Sequence, residues 1–165
     1  MKLEIERKFL LKSVPDIKPV EIIKIEQFYF KNSKGIWERA RSWHSDKNGM
    51  KYIHTVKKSV SKGVNLEDEY YMTSEQFQEF KNHCFSCDEY RHISKERWIY
   101  PDGSLFWEVD VFNSGYNLII AEIEIPIKSY KLTIPDFIKD KMLLEVTEMK
   151  QFSNRSLSKK IYNNI

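Results

Sequence analysis

The sequence predicts an α+β domain: an eight-stranded antiparallel β-barrel, a tunnel with a charged interior, whose outer faces are covered by helices. Three observations predict it. Apolar and charged residues alternate with period two along most of the chain. Turn residues join the alternating runs as hairpins. The charges on one face of each run are sorted by sign.

The strands read in order. Residues 3–11 alternate, and 22–30 form a run rich in Ile, Phe and Tyr. Asn32-Ser33-Lys34-Gly35 supplies a turn before a third strand over 36–43, and Asp46-Lys47-Asn48-Gly49 carries the Asn-Gly hairpin signal. The fourth strand is 51–59 and the fifth 65–72. Thr73-Ser74-Glu75-Gln76 has the form of a capping box, predicting a helix to about Cys84 with Phe77, Phe80 and Lys81 along one stripe. Residues 90–100 and 105–112 form a hairpin across Pro101-Asp102-Gly103-Ser104, and 118–127 is the eighth strand. Pro135 suits the first turn of a short helix. Residues 143–147 are strand-like, and 154–162 are weakly helical.

A chain of 165 residues is most simply one domain, spanning 1–165. Its composition, 41% hydrophobic and 31% charged with 5 Gly and 5 Pro, is that of a globular protein rather than a low-complexity one. The net charge of +3 is too even for a bulk grip on nucleic acid, so no nucleic-acid partner is expected. No run approaches the roughly 18 apolar residues of a membrane span, and Met1-Lys2-Leu3-Glu4 has no apolar secretory core. A cytoplasmic protein with reduced thiols, away from membranes, is the expectation. Cys84-Phe85-Ser86-Cys87, between His83 and His92, has ligand-type atoms but no second pair at a familiar metal spacing. It also closes a helical stretch rather than opening one, so burial or a loop position is expected of the two cysteines.

Strand parity collects the charges. Glu4, Glu6 and Lys8 share a face, opposite Leu3, Ile5 and Phe9. Arg39 pairs with Arg41, Thr55 with Lys57, Glu67 with Glu69, Lys95 with Arg97, Glu108 with Asp110, and Glu122 with Glu124. A sheet with one solvated face would show the same alternation, but it would intersperse the signs more loosely. Closing the sheet gives these faces one interior, where carboxylate groups imply a hard cation and basic groups a polyanion. Arg offers bidentate donors to phosphate and Lys a compact charge.

The order of these motifs resembles the CYTH superfamily, the triphosphate tunnel metalloenzymes. Glu4-Ile5-Glu6-Arg7-Lys8 is similar to its ExExK signature, and Gln27-Phe28-Tyr29-Phe30, Arg39-Ala40-Arg41, Thr55-Val56-Lys57 and Glu67-Asp68-Glu69 follow in family order. Lys95-Glu96-Arg97, the run from Trp107 to Phe112, Ala121-Glu122-Ile123-Glu124, Glu145-Val146-Thr147 and Asn154 complete the likeness. The resemblance implies an antiparallel tunnel acting on a triphosphate small molecule with Mg²⁺ or Mn²⁺. By position, Lys8, Arg39, Arg41, Lys57, Lys95 and Arg97 would bind phosphates, and Glu4, Glu6, Glu69, Asp110, Glu122 and Glu124 would hold one or two metal ions. Lys8, Glu6 and Tyr29 would be the catalytic candidates, and tunnel faces of the family can form a homodimer. The expected activity is hydrolysis of the terminal phosphate of inorganic tripolyphosphate or a related compound. The alternatives are a class IV-like adenylyl cyclase making cyclic AMP, or a non-catalytic polyphosphate or nucleotide binder. Arg7 and Lys58 fall on the opposite face and are expected outside the site.

Overall fold

The computed structural model describes residues 1–87, 89–113 and 117–163. Nine strands form one sheet: β1 (Lys2–Leu11), β2 (Glu21–Lys31), β3 (Trp37–Ser45), β4 (Gly49–Ser61), β5 (Val64–Tyr71), β6 (Tyr90–Asp102), β7 (Leu105–Phe112), β8 (Ile119–Glu124) and β9 (Met142–Glu145). The helices are α1 (Ser74–Ser86), α2 (Asp136–Lys139) and α3 (Asn154–Asn163), with a 3₁₀ turn over Lys150–Phe152. Strand order is β5-β4-β3-β2-β6-β7-β8-β1-β9, and an added β5–β1 pairing closes the first eight into a barrel.

β1 is the closing strand. Along one edge, Glu6 to Leu11 run antiparallel to β8. Along the other, Lys2 to Ile5 pair with β5, and Phe9 to Leu11 with β9. All pairings are antiparallel, as the hairpin turns require. Gly49 opens β4 at φ +69°, a conformation that favours glycine. Gly63, between β4 and β5, has φ +71°, and its carbonyl accepts from Glu6 N–H at 3.0 Å. A Cβ there would lie 3.1 Å from Glu6 O, so this turn sets the backbone level of β1.

The outward faces are apolar and covered. Phe9, Trp107, Val109, Ala121 and Ile123 pack under Ile138 of α2 and the segment before it. Each large side chain so buried contributes roughly 1.5–3 kcal/mol. On the other side Phe28 and Ala40 meet Phe77 and Cys84 of α1. Helix α1 starts as its sequence predicts. Gln76 N–H donates to Thr73 Oγ1, and Gln76 Oε1 accepts from Thr73 N–H, closing the capping box.

Three details differ from the sequence reading. β8 stops at Glu124 instead of running to 127, because Pro126 has no N–H to continue a ladder. Pro135 stands one position before α2, where its carbonyl accepts from Ile138 and Lys139 N–H groups. Helix α3 does not join the outer cover. Its Leu157 packs with Tyr29, Ile93, Phe112 and Ile120, which share the inward parity of the charged residues, so α3 lies across one end of the barrel lumen. No helix among the described residues is long and apolar enough to cross a membrane.

Candidate active site

The inward parity brings the predicted charges into one lumen, where opposite signs pair across strands. On β1 and β8, Lys8 Nζ lies 3.4 Å from Glu6 Oε1 and 3.3 Å from Glu122 Oε1. Burial alone would lower the Lys8 ammonium, but the carboxylates of Glu122 and Glu6 outweigh it and hold it above the usual lysine range. Burial would likewise raise Glu122, yet Lys8, Arg97 and Lys95 keep it well below the carboxylate range.

On the β4–β5 wall Lys57 Nζ lies 2.6 Å from Glu4, 3.5 Å from Glu6 and 3.6 Å from Glu67. Burial and the neighbouring Glu4 push the Glu67 carboxyl up, while Lys57 outweighs burial and holds Glu4 down. On β3, Arg39 Nη2 donates to Thr55 Oγ1 at 3.0 Å and lies 3.6 Å from Glu69. Arg41 Nη2 donates to Glu69 Oε1 at 3.1 Å. Burial and the guanidinium of Arg39 lower Arg41 to about 10.

The tightest cluster spans β6 and β7. Arg97 grips Asp110 with two bonds, Nε to Oδ1 at 2.7 Å and Nη2 to Oδ2 at 2.9 Å, and Lys95 Nζ donates to the same Oδ2. The Asp110 and Lys95 side chains are wholly buried. Burial lowers Lys95 to about 8 although Asp110 opposes the shift. Lys95 also donates to Asn154 Oδ1 at 3.0 Å, which ties α3 to the lumen.

Two cavities occupy the lumen, of about 910 Å³ and about 650 Å³, and they share Glu6, Lys8, Arg39, Lys57 and Asn154 as lining. The larger opens beside the β6–β7 hairpin and the smaller beside the β4–β5 turn and the start of α3. Lys8, Arg39, Arg41, Lys57 and Arg97, with Glu4, Glu6, Glu69 and Glu122, line this space; Lys95 and Asp110 line neither cavity and are buried against each other behind it. Glu124 sits at the rim, half-exposed and 3.0 Å from Lys2. Arg7 and Lys58 stay outside: Arg7 makes a two-bond pair with Glu145 on the outer face, and Lys58 is exposed.

Tyr29 is buried beside Arg39, and its hydroxyl accepts from Gln27 Nε2 at 3.0 Å. Several participants had no role assigned from the sequence, Glu67 and Thr55 beside Lys57 and Arg39 among them. Glu108 meets Arg97 in the lumen, and its signal was the face it shares with Asp110. Gln27 shares the face of Tyr29 and is fully buried, with no partner for its Oε1 among the described residues. Asn154 had no signal from strand parity, since it enters from a helix; its signal was its place in the order of motifs. Cys84 is buried on the face of α1 that packs against Phe28 and Ala40, and Cys87 caps the helix, so neither lines the lumen cavities, in line with burial and a loop position.

The carboxylates on β1 and β8 are the hard oxygen donors that Mg²⁺ or Mn²⁺ would take. Among the described residues no three ligand-type side chains converge into a ready cage, because Lys8, Lys57, Lys95 and the arginines occupy the acids. The set fits a cation held by one or two carboxylates with its shell completed by water and phosphate, rather than an all-protein cage.

No family model and no curated protein matches the sequence. Solved structures do match. The inorganic triphosphatase NE1496 aligns at 24% identity with a TM-score of 0.60, covering 96% of this chain and 95% of that one. A putative adenylyl cyclase from Hippeastrum, described as having dominant triphosphatase activity, aligns at 18% identity and TM-score 0.52, covering 75% and 80% of the two chains. A putative adenylate cyclase from Bacillus halodurans aligns at 14% and 0.51, covering 78% and 84%. At these identities the likeness is one of fold, and the expected barrel is the fold of solved triphosphatase and adenylate-cyclase-like proteins.

Proposed function

We propose that this protein is a Mg²⁺- or Mn²⁺-dependent triphosphatase that removes the terminal phosphate of inorganic tripolyphosphate or a related triphosphate. One observation carries the reading: five of the predicted Lys and Arg side chains, Lys8, Arg39, Arg41, Lys57 and Arg97, line one lumen, each already seated against a carboxylate. The lining of the larger cavity has six cationic side chains against eight carboxylates. Those walls alone would not hold a polyanion, so carboxylates and cations are both accounted for only if a divalent cation accompanies the phosphates. The fold shared with the inorganic triphosphatase NE1496 supports the same substrate class.

Arg39, Arg41, Lys57 and Lys8 would exchange their carboxylate partners for phosphate oxygens, and one or two of Glu4, Glu6 and Glu122, or Glu124 at the rim beside them, would hold the cation. Glu69 and Asp110, offered as ligands on sequence grounds, serve instead to seat Arg41 and the Lys95–Arg97 pair. A bound divalent cation would neutralise developing charge on the phosphates. Glu6 orients the attacking water, Lys8 and Arg97 hold the terminal phosphate in line, and Tyr29 with Gln27 fixes the level of Arg39. Phosphoryl transfer asks little more than such positioning and charge stabilisation.

The test is phosphate release from tripolyphosphate, ATP and thiamine triphosphate with Mg²⁺ or Mn²⁺, with cyclic AMP measured in parallel. Orthophosphate from tripolyphosphate is expected. Cyclic AMP as the main product from ATP would replace this reading with a cyclase, and tight binding without turnover would replace it with a binding module.

A further inference from the structure

Gln27 stands directly across from Arg41 in the β2–β3 ladder. It is fully buried and lines neither cavity. The two ends of its amide are placed differently. Nε2 donates to the Tyr29 hydroxyl at 3.0 Å, and Tyr29 is the cross-strand neighbour of Arg39. Oε1 has no partner among the described residues, although a buried amide oxygen left unbonded is costly.

A donor for that oxygen sits opposite. Residues directly across an antiparallel pair share a face, with Cβ atoms about 5 Å apart, so Gln27 and Arg41 leave β2 and β3 side by side. On its other flank Gln27 faces Ile93, whose side chain offers no donor. Arg41 carries the matching orphan. Its Nε is buried with no partner among the described residues, while Nη2 reaches across to Glu69 Oε1 at 3.1 Å. That carboxylate oxygen is shared, since Arg39 Nη2 lies 3.6 Å from it. An acceptor without a donor and a donor without an acceptor therefore stand on neighbouring strands, and the guanidinium is turned toward Glu69.

We propose that Gln27 is a positioning residue for Arg41, whose Nε–H donates to Gln27 Oε1 once a phosphate takes the place of Glu69. The guanidinium then turns so that Nε is anchored on the β2 wall and both Nη groups point into the larger cavity, which Arg41 lines. With Nε2 still on Tyr29, one buried amide sets the spacing of Arg39 and Arg41 on the phosphates. The proposal rests on the triphosphatase reading only in taking phosphate as the occupant of the lumen. It adds to that reading a side chain that touches no substrate.

The test is a double-mutant cycle between Gln27→Met and Arg41→Lys, since methionine keeps the size without the acceptor and lysine keeps the charge without Nε–H. Binding of a methylene-bridged tripolyphosphate, which cannot be hydrolysed at its bridges, is measured by calorimetry with Mg²⁺, beside KM and kcat for tripolyphosphate. Gln27→Met should weaken binding about tenfold in the Arg41 background, with KM rising more than kcat falls, and less than about twofold in Arg41→Lys. Equal losses in both backgrounds would mean that Gln27 supports the fold or acts through Tyr29, and would overturn the proposal. Should Gln27→Met fail to fold, Gln27→Asn, which keeps a buried amide but draws its oxygen back by one methylene, carries the same cycle and the same expectation. In ¹H–¹⁵N spectra the Arg41 Nε–H signal, assigned by its loss in Arg41→Lys, should shift when wild type binds the analogue. The same shift in Gln27→Met, or none in wild type, also overturns the proposal. If the analogue binds with this coupling yet tripolyphosphate is not cleaved, the hydrolase reading fails and the role of Gln27 stands. A wild type that neither binds the analogue nor cleaves tripolyphosphate overturns both.

Discussion

Replacing Asp110 with Asn tests the most buried electrostatic unit of the barrel. Asp110 accepts two bonds from Arg97 and one from Lys95, and its side chain and that of Lys95 have no exposure. Asn keeps the shape but leaves two buried cations short of a charge. Removing one partner of a buried pair costs about 3–5 kcal/mol. The lower end applies here, because Arg97 retains Glu108 beside it and Glu122 at 3.7 Å. At about 2–4 °C per kcal/mol for a chain of this size, a loss of about 3 kcal/mol lowers Tm by roughly 6–12 °C.

The loss should also depend on pH. Lys95 titrates at about 8 in the folded protein, so the Lys95–Asp110 attraction is present below that pH and fades above it. Without Asp110 the Lys95 pKa falls further, and the stability gap between variant and wild type narrows between pH 7 and 9 by about 1 kcal/mol. Thermal unfolding by circular dichroism across that range reads both numbers. A variant as stable as wild type at pH 7, or a gap that widens toward pH 9, would refute the reasoning.

Other consequences are open to direct measurement. Gly63→Ala places a methyl 3.1 Å from Glu6 O and Thr147 Cγ2 at a positive φ, and should cost on the order of 1–3 kcal/mol by denaturant unfolding while also reducing turnover through the displaced Glu6. An unchanged midpoint would show that the turn does not set the level of β1. Arg7→Ala removes a two-bond pair with Glu145 on the outer face, both groups partly exposed; a stability change within about 1 kcal/mol and unchanged kcat/KM are expected. Loss of turnover there would mean that the wrong face of β1 has been assigned to the site. Native-state alkylation followed by mass spectrometry should label Cys87 and spare Cys84, whose thiol is buried and pushed up to about 12. Rapid labelling of Cys84 would show that α1 opens from the barrel.

The fold was largely legible because the side-chain period of a strand is two and hairpin turns have their own residues. Once Glu4, Glu6 and Lys8 are placed inward, pairing carries the same parity to Glu122 on β8 and onward around the barrel. The capping box at Thr73 is equally local, and it formed as read. What parity cannot supply is partnership. It places Asp110 inside, but not that Arg97 and Lys95 close on both its oxygens, since that depends on register and side-chain reach. Nor could it find α3, whose Leu157 and Asn154 enter the lumen from a segment with no strand period. The end of β8 was legible in principle, from Pro126 alone.

Hydrolysis of tripolyphosphate in ¹⁸O-labelled water with Mn²⁺ or Mg²⁺, followed by ³¹P NMR, tests the central claim most directly. The account predicts equal amounts of pyrophosphate and orthophosphate, with the label in the orthophosphate, and loss of both products in Glu6→Gln and Lys8→Ala variants that remain folded. A tripolyphosphate signal that persists with either metal, or full turnover in both variants, would contradict it.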